Sequence, residues 1–205
     1  LFTVREIDFL ISNVVNLSVF GVDGTSGLWT GGESQEWSEC KNWSDGTIPT
    51  EITDVSISTG NNPQISTSLA VNNLSVTGST ILQIVGDITL DVKGNLTVGS
   101  SASLDGTTAL SKISMSGQRT ELSMEGTLEP SIDIEIAGTA EVSLASAIDL
   151  PNESNDLTIN SGGSLNFNGF NITGTSGDFI LASGATILIT DSDGITAAGN
   201  AAGNV

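Results

Sequence analysis

Asn73-Leu74-Ser75-Val76-Thr77-Gly78-Ser79-Thr80-Ile81-Leu82-Gln83-Ile84-Val85-Gly86-Asp87-Ile88 is echoed 22 residues later by Asn95-Leu96-Thr97-Val98-Gly99-Ser100-Ser101-Ala102-Ser103-Leu104-Asp105-Gly106-Thr107-Thr108-Ala109-Leu110. Leu74, Leu82 and Ile88 thereby recur as Leu96, Leu104 and Leu110. Farther along, Leu157, Ile159, Leu165 and Phe167 recur as Phe179, Leu181, Ile187 and Ile189 at the same spacing. A period of this size marks a solenoid, a propeller or an array. Within each period the apolar residues come as short apolar-x-apolar triplets about seven to eight residues apart, which predicts three short strands per coil.

The physical logic follows from the pleat. In a strand, alternate side chains point to opposite faces. Leu122 and Met124 are expected inside with Ser123 outside; Ile132, Ile134 and Ile136 inside with Asp133 and Glu135 outside. One coil of three such strands closes no core. Stacking about seven coils at roughly 4.8 Å by parallel pairing builds a continuous aliphatic interior. Glycines between the triplets, such as Gly78, Gly99, Gly117 and Gly138, supply the corners. The expected fold is all-β: a right-handed parallel β-helix of about 22 residues per three-strand coil. A β-sandwich is the competitor, since its strands recur at similar short spacing, but it does not produce a constant 22.

Three regions are expected. Residues 1–24 alternate at period two through Phe2, Val4, Ile7, Phe9, Ile11, Val15, Leu17 and Val19 and have no echo; they read as the last strands of a preceding β-domain. Residues 25–54 hold all three tryptophans, Trp29, Trp37 and Trp43, and read as a cap over the raw end of the first coil. Residues 55–205 form the solenoid, which is expected to continue in a longer parent protein. The opening Leu1-Phe2-Thr3-Val4 shows no initiator Met or signal-peptide pattern, so an internal piece of a larger polypeptide is expected.

Composition narrows function. The chain carries 24 acidic and 5 basic side chains, net −19. Phosphate backbones are held by Lys and Arg, so nucleic acid is a poor partner, and anionic membranes repel such a surface. The acidity reads as solvation of an exposed wall, or more sharply as loose binding of divalent cations or a basic partner. No His and no Tyr are present, which removes the commonest general base and a Ser-His-Asp triad. Cys40, the single cysteine, reads as a small buried hydrophobe or as half of a pair completed elsewhere. No apolar run reaches the about 18 residues of a membrane span.

The run Trp29-Thr30-Gly31 … Trp37 … Asn42-Trp43-Ser44-Asp45-Gly46-Thr47-Ile48-Pro49 … Asp54-Val55-Ser56-Ile57, followed by Val71-Asn72-Asn73-Leu74-Ser75-Val76, resembles the opening of β-helical modules in very large surface proteins of Bacteroidetes-type bacteria. Leu157–Leu165, Ala182–Thr186 and Asp193-Gly194-Ile195 fit the same family, so the resemblance spans roughly residues 28–205. It implies a secreted, adhesin-like protein on the outer surface of a Gram-negative cell, exported by type IX secretion. Implied partners are neighbouring domains of the same polypeptide, surface polysaccharide and an outer-membrane secretion complex. The family supplies no catalytic residues and no cofactor.

Chemistry is sparse. Asp133 and Glu135 are outward neighbours about 7 Å apart by strand rise, a separation suited to an inverting glycosidase, but a solvated acidic face explains them as well. A lyase of this fold would need a cluster of acids for Ca²⁺ plus a basic residue as base, and Lys93, Lys112 and Arg119 are the only basic residues the solenoid offers. Asp191-Ser192-Asp193-Gly194 opens like a Ca²⁺ loop but lacks the closing Glu, and reads as a turn. Trp29, Trp37 and Trp43 are candidate ligand aromatics, stacking on sugar rings, or cap aromatics packed over the first coil. Ile180 and Leu188 are expected outward, where they would touch a neighbouring segment. The expectation is a non-enzymatic stalk or spacer; the alternative is a carbohydrate-binding or polysaccharide-degrading β-helix.

Overall fold

The computed structural model describes residues 24–190, apart from Ala109 and Thr175. The strands expected within residues 1–24, which run from Phe2 to Val19, and the turn at Asp191–Gly194 lie outside the described residues. Among the described residues nineteen strands run in chain order. Coil one is β1 (Val55–Ile57), β2 (Gln64–Ile65) and β3 (Leu69–Val71); coil two is β4 (Leu74–Val76), β5 (Ile81–Ile84) and β6 (Thr89–Val92). Coil three is β7 (Leu96–Val98), β8 (Ser103–Gly106) and β9 (Ser111–Met115); coil four is β10 (Gln118–Met124), β11 (Thr127–Leu128) and β12 (Ile132–Ile136). Coil five is β13 (Glu141–Leu144), β14 (Ile148–Leu150) and β15 (Leu157–Ile159); coil six is β16 (Ser164–Asn166), β17 (Ile172–Gly174) and β18 (Phe179–Leu181). The first strand of a seventh coil, β19 (Thr186–Leu188), closes the described chain.

Strands pair in parallel with their counterparts one coil away, except that β11 and β14 are not joined. The first face is a seven-stranded sheet and the third a six-stranded sheet. The second face is a four-stranded sheet through β11 and a separate β14–β17 pair. The fold is therefore the parallel β-helix that the repeat predicts. Six steps at about 4.8 Å make the first face about 29 Å tall. The interior is a set of aliphatic columns: Leu74, Leu96, Leu122 and Leu144 in one, and Leu90, Ile113, Ile134 and Leu157 in another, all 0–1 % exposed.

The period is not constant. Val55 pairs with Leu74, Leu74 with Leu96, and Leu96 with Leu122, steps of 19, 22 and 26. One expected match also shifts. Thr89 pairs with Lys112 and Leu90 with Ile113, so Leu90 and Ile113 fill the column. Leu110, matched to Ile88 by spacing, stands in the preceding turn at 62 % exposure. Most of the second face escaped the sequence pattern. Its strands are two to four residues long, and β8 ends on Gly106 where the partner column has Ile84.

The 26-residue step has a local origin. Between the third face and the first, two residues separate Val71 from Leu74, three separate Val92 from Leu96, and six separate Met115 from Leu122. The added stretch is Gln118-Arg119-Thr120. It lengthens β10 and starts an extra inward column, in which Thr120, Val142, Leu165 and Ile187 follow one another coil by coil. From coil four upward the first face is wider than below. Gly117 makes the turn, because a Cβ there would stand 1.8 Å from the Lys93 carbonyl oxygen.

Candidate functional site

The Trp-rich segment is an incomplete turn beneath coil one. Trp29 N–H donates to the Ser56 carbonyl at 2.9 Å, and Trp37 N–H donates to the Gln64 carbonyl at 3.0 Å. Leu28 and Glu36 bridge in parallel to Ser56 and Gln64, as β-helix coils do. The three indoles meet at this base, with Trp29 and Trp43 centroids 5.0 Å apart and Trp37 and Trp43 4.7 Å apart, both edge-on. They are 1–3 % exposed. A sugar-stacking indole presents a face to solvent; these rings turn theirs to one another and to the first coil. Trp43 also borders a hollow of about 500 Å³ along residues 40–47, but at 2 % exposure it contributes an edge rather than a platform.

Asn42, fully buried, organises this segment. Its Oδ1 accepts the N–H groups of Glu33 and Ser34, both at 2.9 Å. Its Nδ2 donates to Ser34 Oγ and to the Glu36 carbonyl at 3.0 and 2.8 Å. Its own carbonyl accepts from Thr30 and Gly31 N–H. All the hydrogen-bonding capacity of the carboxamide is used. Nothing in the sequence marked this role; Asn42 stood only inside the motif. Cys40 corrects the buried reading: it is exposed. It opens the 3-10 turn Cys40–Asn42, whose inward position is Asn42.

The acidic pair on the third face is committed elsewhere. Asp133 Oδ1 accepts the Asp156 N–H at 2.9 Å. Glu135 pairs with Lys112 Nζ at 3.3 Å. Burial raises the Asp133 carboxyl above the usual range, against the lowering effect of the Asp156 N–H. Lys93 pairs with Glu51 in solvent, and Lys41 reaches Glu33 at 4.0 Å. Arg119 alone of the four described cations has no ion pair among the described residues. No group of three or more metal-ligating side chains occurs among the described residues, and no described helix is long and apolar enough to cross a membrane. Ile180 and Leu188 stand 41 % and 52 % exposed, but Leu181, inward by register with Ile159, is 45 % exposed too, so exposure at this end of the described chain does not separate the two faces.

Arg119 lies at the widening of the first face. Gln118 pairs with Glu141 and Thr120 with Val142, so Arg119 is the extra residue of a β-bulge, with φ +59°. Such a φ is uncommon outside glycine. Above it lies a hollow of about 410 Å³ on the outer face, walled by Glu121, Glu141, Ser143, Ser164, Asn166 and Leu188. Glu121, Ser143, Asn166 and Leu188 form one outward column and Glu141 with Ser164 another. Thr120, 6 % exposed, borders the hollow, and its hydroxyl has no hydrogen-bond partner. The sequence offered Arg119 only as one of few cations. Its meeting with Glu121 and Glu141 depends on the bulge, which pairing alone reveals.

A family model described as a domain of unknown function (DUF8693) matches residues 28–127, from the first indole segment to the first residue of β11. No curated protein and no solved structure matches the chain.

Proposed function

We propose that this chain is a rigid, non-enzymatic spacer in a larger cell-surface adhesin of a Gram-negative bacterium. The observation that carries the reading is the unbroken first face: seven parallel strands joined coil to coil over filled aliphatic columns. Such a stack resists bending because every coil is hydrogen-bonded to both neighbours. Its outer wall is Ser, Thr, Asn and acidic side chains, which solvate it and keep copies apart. Asp133 and Glu135, the acidic pair on the third face, are engaged by an N–H and a lysine, which supports a structural role for them.

Stretching of the 205-residue chain between flexible handles tests the mechanical part. A spacer gives way abruptly, in lengths of whole coils of about 22 residues. Smooth extension at low force overturns the reading. Antibody labelling of intact cells tests its place on the surface, and labelling only after lysis counts against it.

A further inference from the structure

We propose that the hollow above Arg119 is a binding site for an uncharged saccharide. Three observations converge on it. The chain spends three added residues, Gln118-Arg119-Thr120, to widen the first face at this one corner. The bulge holds Arg119 at φ +59°, a strained value for a non-glycine residue, and bulges and such strain are enriched beside functional sites. The guanidinium it carries has no ion pair among the described residues, in a protein of net charge −19.

The chemistry of the wall selects the ligand class. Glu121 and Glu141 accept hydrogen bonds from hydroxyls, Arg119 and Asn166 donate to ring and hydroxyl oxygens, and Leu188 offers an apolar surface to the C–H face of a pyranose. A neutral sugar meets all three demands, since its hydroxyls both donate and accept along the rim and one ring face is apolar. The two carboxylates outnumber the one guanidinium, so an anionic ligand is disfavoured. The volume, about 410 Å³, lies at the lower end for small-molecule clefts and suits a short saccharide. This site goes beyond the spacer reading and does not depend on it; a spacer with such a wall would hold a saccharide at this one point on its side.

The test is saturation-transfer NMR on the full chain, with glucose, galactose, mannose, N-acetylglucosamine and their disaccharides as neutral probes and glucuronate as the anionic probe. At least one neutral probe is expected to show transfer. Arg119→Gly removes the guanidinium while suiting the positive φ, and Glu141→Gln preserves shape while removing the charge. Each is expected to weaken binding about tenfold or more, the scale of a hydrogen bond to a charged group, with the circular dichroism spectrum unchanged. Transfer to glucuronate alone, no transfer to any neutral probe, or undiminished transfer in both variants overturns the proposal.

Discussion

Coils one to three and coils four to six share one ladder of parallel strands, yet their first faces differ. In the lower coils the corner before each strand is closed by a chain of carboxamides and one carboxylate. Asp54 Oδ1 accepts the Asn73 N–H, Asn73 Oδ1 accepts the Asn95 N–H at 2.7 Å, and Asn95 Oδ1 accepts the Glu121 N–H at 2.9 Å. At Glu121 the chain of acceptors ends and the face widens. The upper coils gain an inward column and, above it, a hollow. Where the corner is tied side chain to backbone the surface is sealed; where three residues are added, the same ladder makes room.

Whether the two halves form one cooperative unit is open to direct measurement. Ile134, fully buried between Ile113 and Leu157, belongs to the upper half. Ile134→Ala is expected to cost about 2–5 kcal/mol in chemical denaturation, and a single shifted transition means the halves unfold together. Two transitions, only one of them moved, would split the solenoid at Gln118. Asn42 belongs to the base. Asn42→Ala leaves the Glu36 carbonyl and the Glu33 and Ser34 N–H groups unpaired, and is expected to cost about 2–3 kcal/mol. Hydrogen exchange is expected to rise first in coil one, and exchange rising equally in every coil would mean the base is not a separate unit.

Smaller changes probe the step itself. Thr120→Val replaces a buried, unpartnered hydroxyl with a methyl group of like shape and is expected to stabilise by about 1 kcal/mol. A loss of stability instead would mean that the hydroxyl is satisfied by ordered water. Asp133 gives the smallest effect. Its folded pKa lies above its unfolded value, mainly through burial, so the ionised carboxylate opposes folding at neutral pH. This opposition fades as pH falls through the raised pKa. Asp133→Asn keeps the Oδ1 acceptor for the Asp156 N–H, and is expected to raise Tm slightly at pH 7 and to leave it unchanged in acid. An equal rise at both pH values would assign the effect to packing rather than charge.

The ladder was legible because its strands alternate. Ile132–Ile136 emerges with the bounds and facing that its residues predict, and Leu157, Ile159 and Leu165 meet the partners that spacing assigns them. The second face was not, since a two-residue strand such as Thr127–Leu128 is too short to show a period. Leu110 shows how a fixed period misleads: corners differ in length from coil to coil, and an apolar residue in a turn imitates a core position. The hollow was illegible for a related reason. Arg119, Glu141 and Asn166 are separated by 22 and 25 positions in sequence and become neighbours only through coil-to-coil register.

That register also sets how the chain folds. Each strand meets its partner about one coil away in sequence, and because closure entropy grows only with the logarithm of loop length, the steps of 19, 22 and 26 residues cost nearly the same. The half-turn of residues 27–37, pinned by Asn42, offers ready-made N–H and C=O rows to β1 and β2. Each coil in turn presents the same rows to the next, so structure nucleated at any coil propagates by templating to its neighbours, and this base is a starting block already in place. A chain delivered amino end first would have its starting block assembled before the coils that need it arrive.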